Sequence, residues 1–233
     1  RIAEQGVILR PNARLGDGLG LGDLRKQFDA VLLALGAAVP VDLGVEGEDL
    51  AADAIEFLRR CARRGEDMTG AHVVVFGNEE IALDAARVAR RLNARATVAA
   101  SRERSRFTGV LEERLADAES EGVTVEYGCR AARVEADRGH GLRLLVESGG
   151  RAWAVEATFV VAARDRRPDL GLLAAQGVPV ADGHVMVERD TLATRLEGVF
   201  AAGEAATGGD EGVRAVAAGR LAAASICQFL RGE

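Results

Sequence analysis

Two continuous apolar runs constrain this chain more than any other feature: DAVLLALG at 29–36 and HVVVFG at 72–77. Neither alternates apolar with polar residues, so each reads as a strand buried on both faces, which is the situation of a parallel sheet. Further short β-rich runs are expected at 6–9, 96–99, 123–127, 142–147, 154–161, 184–187 and 199–202. Helical periodicity occupies 49–64, 80–92, 109–121 and 210–230. In the first of these helices Leu50, Ala54, Phe57, Leu58 and Cys61 share a face, while Arg59, Arg60, Arg63 and Arg64 gather at the end where cations complement the helix dipole. Strand and helix in alternation predict βαβ units and an α/β fold. The stretch 130–158 breaks that rhythm, and Ser148-Gly149-Gly150 within it is a hairpin turn signal.

With 48% apolar and 28% charged residues, 233 residues suffice for one large or two small packed domains. A net charge of −6 argues against nucleic acid or an anionic membrane surface as partner, since both reward a concentrated positive field. No apolar run is expected to approach the roughly 20 residues that span a bilayer, and a cytoplasmic setting is the expectation. Cys61, Cys129 and Cys227 lie far apart, and none belongs to a C-x-x-C pair, so they read as small core or helix-face residues. His72, His140 and His184 share no metal-ligand spacing with one another or with the cysteines. No G-x-S-x-G elbow or Walker loop occurs, and no residue stands out as a general acid, base or nucleophile.

Two longer stretches carry a specific likeness. The first is FDAVLLALGA at 28–37, followed by VEGEDL at 45–50 and FLRR at 57–60; the second is LATRLEGVFAAGEAATGGDEGVRAVAAGRLAAASI at 192–226. In this order, on either side of a strand-glycine-helix unit, they resemble the FAD-dependent pyridine nucleotide-disulfide oxidoreductase class, and within it the glutamate synthase small subunit. The resemblance implies an α/β fold with a Rossmann-like NAD(P)-binding domain inserted into an FAD-binding domain. The expected division is 1–63 as a partial FAD-binding domain, 64–167 as the inserted domain, and 168–233 as the remainder of the first.

By that resemblance Gly36 and Ala37 let backbone approach FAD, and Gly203 and Glu204 fill the place of a Gly-Asp pair whose acid reaches the ribityl chain. Gly208, Gly209 and Val213 open the helix whose start faces the cofactor. Glu for Asp adds one methylene and shifts the acceptor by about 1.5 Å. Glu204 as an FAD ligand and Glu204 as a helix-capping or solvent-facing acid both stay open.

The inserted domain opens on Gly77, Asn78, Glu79, Glu80, Ile81, Ala82, where a dinucleotide fingerprint would have glycine at its second fixed place so that pyrophosphate can lie against bare backbone. Glu79 puts bulk and negative charge there. Two like charges about 4 Å apart at an intermediate dielectric cost on the order of 4 kcal/mol, roughly a thousandfold in affinity. Asn78 is a good N-cap, and Glu79 and Glu80 suit the first turn, so a helix start satisfied by its own side chains is expected.

Two further departures point the same way. Where the family has a Tyr-Arg-Arg run suited to the extra phosphate of NADPH, this chain has Ala100, Ser101 and Arg102, with Arg104 and Arg106 nearby; a later Ile and Gly have become Arg164 and Asp165. A degenerate NAD(P) site made of Gly77, Asn78, Glu79, Ala82 and Arg102 is therefore expected, with NAD(P)H binding in doubt.

The sequence begins where the family's first FAD-binding unit would end. A longer protein, or a partner that supplies the missing half, is the expectation, with little FAD affinity in this chain alone. The function read from these residues is a component or fragment of an FAD-dependent NAD(P)H oxidoreductase that transfers electrons. A catalytically inert scaffold or regulatory subunit keeping the fold is the alternative.

Overall fold

The computed structural model describes residues 3–65, 67–137, 139, 141–208 and 212–232. It contains two compact units, one formed by Pro40–Asp165 and one by Arg1–Val39 together with Arg166–Glu233. The first is inserted in the sequence of the second. Residues 40–63, grouped from the sequence with the outer domain, fall in the inserted unit.

The flanking unit begins with α1 (Leu21–Gln27) and β1 (Val31–Leu33), and the chain leaves it at β2 (Val39–Pro40). In the inserted unit follow β3 (Ala52–Asp53), α2 (Ala54–Arg64), β4 (His72–Gly77), α3 (Glu79–Arg91), β5 (Arg95–Ala99), α4 (Val110–Ser120) and β6 (Thr124–Glu126). Then come β7 (Arg130–Ala136), β8 (Leu142–Ser148), β9 (Arg151–Ala157) and β10 (Phe159–Ala163). The flanking unit resumes with β11 (Arg166–Arg167), α5 (Leu170–Ala175), β12 (Val180–Ala181), β13 (His184–Val185), β14 (Val199–Ala201), α6 (Glu204–Thr207) and α7 (Gly212–Arg231).

The inserted unit is built on a parallel sheet in the order β3-β10-β4-β5-β6. Its centre is β4, and the period of two explains why that strand has no polar face. Val73 and Val75 pack against α2 and α3 through Phe57, Leu83, Ala86 and Ala89. Val74 and Phe76 point the other way, onto Val134, Leu144, Val146 and Ala157 of an antiparallel sheet in the order β7-β8-β9. The hairpin expected around Ser148-Gly149-Gly150 joins β8 to β9, with Ser148 opposite Arg151. Sequence reading missed β7, whose run RAARVEA is too polar to advertise a strand; only Val134 on it is fully buried.

Where a helix was expected at 49–64, the chain first makes a 3-10 turn at Glu48–Leu50 and the short strand β3. Asp53 resets the start: its Oδ1 accepts from the amides of Ile55 (3.0 Å) and Glu56 (3.2 Å), so α2 begins at Ala54. The single strand expected at 154–161 is divided between β9 and β10, and residues 6–9 form no strand.

In the flanking unit β1 and β14 pair in parallel, Val31 with Val199 and Leu33 with Ala201. Their inner side chains pack with Leu21, Leu173, Val178 and Val185. The amide of Leu21 donates to Gln176 Oε1 at 2.8 Å, which ties α1 to the end of α5; neither helix was expected from the sequence. Along α7 only Ala218, Ala222 and Ser225 are buried, whereas Val213 is 82% exposed and Val216, Leu221 and Leu230 are exposed as well. This helix is long and apolar enough, by length and composition alone, to cross a bilayer. Arg214 and Arg220 interrupt it, so its apolar residues form no unbroken run of the length the sequence reading looked for.

Candidate functional site

In open parallel sheets ligands bind beyond the carboxyl ends of the strands, where the strand order reverses. The chain leaves β4 for β5 on one side, and β10 returns on the other, which places that point at the end of β4. Gly77 stands there with φ of +111°, and a Cβ on it would lie 2.2 Å from the carbonyl oxygen of Ala163. The same carbonyl accepts the amide of Asn78 at 2.7 Å. Glycine is thus required by the close approach of β10.

Asn78 is the N-cap of α3. Its Oδ1 accepts from the amides of Glu80 (3.1 Å) and Ile81 (3.3 Å), two of the donors that an uncapped helix would offer an anion. Its Nδ2 donates to Asp165 Oδ1 at 2.7 Å. Ala82 is buried where α3 meets the sheet, its small side chain allowing helix and strand to approach.

Glu79 turns toward the end of β5. Its Oε1 accepts from the hydroxyl of Ser101 at 2.7 Å, and its Oε2 lies 3.4 Å from Arg102 Nε. The Glu79 side chain is only 12% exposed, whereas Arg102 keeps half its surface in water. Arg104, two residues further on, lies 3.8 Å from Glu119.

Arg164 points elsewhere. Its Nε donates to Glu48 Oε1 at 2.8 Å, its NH2 to the Glu48 carbonyl at 3.1 Å, and its NH1 is 3.7 Å from Asp53 Oδ2. Glu48 also accepts the amides of Val45 and Leu43. Burial pushes the Glu48 carboxyl up, yet the Arg164 hydrogen bond and the two amides outweigh it and hold the group below its ordinary value. This network joins residues more than a hundred positions apart, and nothing local in the sequence announced it. Glu48 was visible only as a letter in VEGEDL.

In the flanking unit, Gly36 and Gly203 follow the ends of the adjacent parallel strands β1 and β14, at φ +63° and +72°. Ala37 is half-buried just beyond Gly36. The amide of Ala202 donates to the Leu33 carbonyl at 3.0 Å, which keeps the two strand ends together. Glu204 is the half-buried first residue of α6, a helix of one turn. Gly208, at φ +64°, lies against His184, whose Nε2 would be 3.2 Å from an added Cβ. Val213 stands on the exposed side of α7, and Gly209 lies outside the described residues, as does His140. The structure therefore brings Gly36, Ala37, Gly203 and Glu204 to one end of one sheet, and gathers Gly77, Asn78, Glu79, Ala82 and Arg102 around the end of another.

None of the cysteines is in a disulfide; Cys61 and Cys129 are buried in the inserted unit, and Cys227 is exposed on α7. Burial, with Glu126 adding to it, pushes the Cys129 thiol up to about 11, so it stays protonated. Among the described residues no cluster of His, Cys, Asp and Glu could hold a metal ion.

Residues 12–220 match the family described as "Pyridine nucleotide-disulphide oxidoreductase". The chain is 31% identical to the NADP(+)-dependent formate dehydrogenase subunit beta of Moorella thermoacetica, over 97% of its own length and 35% of that protein. It is 30% identical to the glutamate synthase [NADPH] small chain of Azospirillum brasilense, over its whole length and 55% of that protein. The chain thus spans about a third to about half of the curated relatives it matches. Among solved structures, the thioredoxin reductase of T. acidophilum superposes with a TM-score of 0.68 at 18% identity, over 87% of this chain and 66% of that one. At that identity the likeness speaks for the fold alone: α/β, of the two-dinucleotide-binding type.

Proposed function

Because the chain belongs to the pyridine nucleotide-disulphide oxidoreductase family, we propose that it is part of an FAD-dependent oxidoreductase that relays electrons, with its pyridine-nucleotide site closed. FAD would lie against Gly36, Ala37, Gly203, Glu204 and Gly208, where the ends of β1 and β14 leave backbone open to a ligand. The flavin would carry the redox chemistry and this chain would position it. Gly77, Asn78, Glu79, Ala82 and Arg102 would form the disused coenzyme site.

One observation carries the closed-site reading: the groups that would recognise a dinucleotide's phosphates are already engaged by side chains of the same unit. Asn78 takes the amides of α3, and Glu79 takes Ser101 and Arg102. Electrons would then reach the flavin from a protein donor or another subunit instead of from NAD(P)H.

A protein neighbour is part of this reading. A sheet of two strands, β1 and β14, beside a helix whose apolar residues are mostly exposed, is an incomplete layer. Further strands, from additional chain or from a partner, would complete it. A bilayer fits α7 less well, since Arg214 and Arg220 divide it and the uncharged stretch 221–230 is far shorter than the roughly 20 residues a span needs. The same incompleteness supports the second reading, a catalytically inert scaffold or regulatory subunit, because the described sheet offers no complete FAD site.

Flavin absorbance of the intact protein followed by anaerobic titration separates these readings. A yellow protein whose flavin stays oxidised in micromolar NADPH and NADH, and is reduced by dithionite, is the expected result. Bleaching at micromolar nucleotide overturns the closed site. A colourless protein that takes up no added FAD overturns the flavoprotein reading in favour of the scaffold.

A further inference from the structure

We infer that Glu79 is the residue that chiefly keeps a pyridine dinucleotide from the inserted unit, its carboxylate standing in for the anionic part of a coenzyme bearing a 2′-phosphate. This deepens the closed-site reading and rests on it. Three observations converge. First, the backbone of a dinucleotide turn is intact: Gly77 makes the tight turn against Ala163, and Ala82 packs α3 on the sheet. Position 79, the second fixed place of the fingerprint, is the one filled wrongly.

Second, the Glu79 carboxylate is not needed at the helix start. Asn78 already caps α3, and Glu80 supplies a further acid for the positive end of the dipole. Instead Glu79 reaches across to the next strand, accepting from Ser101 at 2.7 Å and lying 3.4 Å from Arg102. Third, that strand end is where dinucleotide folds read the adenosine ribose, using an acid for a free 2′-hydroxyl or an arginine for a 2′-phosphate. No acid stands among Ala100, Ser101 and Arg102. The residues present are a hydroxyl donor and a guanidinium, a pair suited to a phosphate, and the anion they hold is an internal one. Glu79 therefore acts twice: it puts a side chain at the place the fingerprint keeps bare for pyrophosphate, and its charge neutralises the arginine.

The test compares the intact protein with Glu79→Gly, Glu79→Gln and Glu79→Gly/Arg102→Ala, titrating NADPH and NADH calorimetrically after thermal melts have shown each variant folded. Glu79→Gly is expected to bind NADPH at least about a hundredfold more tightly than the parent, because both the steric block and the like charge are gone. It should prefer NADPH over NADH by at least about tenfold, the margin of one charge-assisted contact, and the double variant should lose that preference. Glu79→Gln keeps the bulk and should gain less than about tenfold. A well-folded Glu79→Gly that binds neither nucleotide below millimolar concentration overturns this inference and leaves the closed-site reading standing. Equal binding of NADH and NADPH by that variant also overturns it. Micromolar binding by the parent protein overturns both.

Discussion

The carbonyl oxygen of Ala163 occupies the space where a side chain on residue 77 would begin: a Cβ there would lie 2.2 Å away, and the backbone of Gly77 has φ of +111°. Two penalties therefore coincide at one position, a left-handed backbone and a clash with main chain that cannot rotate aside. Gly77→Ala is expected to destabilise the inserted unit by about 2–4 kcal/mol, read as a lowered midpoint in urea or thermal unfolding. A variant as stable as the parent would mean that β4 and β10 do not approach as described.

Arg164 and Glu48 form the most enclosed ion pair near the site, their side chains 11% and 13% exposed. Removing one partner leaves the other charge without its counterpart, so Arg164→Met should cost about 3 kcal/mol, the low end for a buried pair because some solvent reaches it. The double variant Arg164→Met/Glu48→Gln should recover most of that loss, and double-mutant cycles on unfolding free energies would measure the recovery. The Glu48 carboxyl is held below 4.5, so its contribution is complete above that pH and fades as the pH falls through the lowered value. The Arg164→Met variant should accordingly lose less stability on acidification than the parent does.

How far these residues could be foreseen follows from the range of the forces involved. Period and composition revealed β4, α3 and the β8–β9 hairpin because their patterns are local: five consecutive residues from Val73 to Gly77, or a Gly-Gly turn between apolar runs. The cap at Asn78 was legible for the same reason, since it is settled within three residues of α3. By contrast β7 carries a run too polar to show itself before it pairs with β8, and α1 is tied by a hydrogen bond to Gln176, far away in sequence. The replaced residues of the fingerprint were visible as departures from a pattern. Their partners were not: that Glu79 would meet Ser101 and Arg102, or Arg164 meet Glu48 and Asp53, depends on which strand ends the topology sets side by side.

At the opposite end of the parallel sheet His72 is enclosed by polar partners. Its Nε2 lies 2.8 Å from Thr97 Oγ1, and its Nδ1 lies 2.6 Å from the Glu156 carbonyl and 2.7 Å from Arg95 NH2, with Asp137 lining the same cavity. Burial first, and the Arg95 charge second, lower its pKa from 6.5. A histidine depressed in the folded state contributes stability that is complete above 6.5 and lost as the pH falls below it. The parent should therefore lose stability between pH 7 and 5, and His72→Gln should flatten that interval, both followed by denaturant titration at each pH. An unchanged slope in the variant would show that His72 carries no such linkage.

Glu204 offers a conservative test of the flavin side. It is the first residue of α6, beside Gly203 at the end of β14, where a shorter acid would retract the acceptor by about one bond length. If that acid faces the cofactor, Glu204→Asp should tighten FAD binding several-fold in the intact protein, on the order of 1 kcal/mol for one better-placed hydrogen bond, while Glu204→Gln should weaken it. Both substitutions leave the core untouched, since Ala205 and Ala202 supply the buried contacts there. The ratio of flavin to protein after dialysis, together with the FAD dissociation constant from fluorescence quenching, reads the effect. Equal retention by the parent and both variants would assign Glu204 to solvent, and FAD, where bound, to Gly36, Ala37 and Gly203.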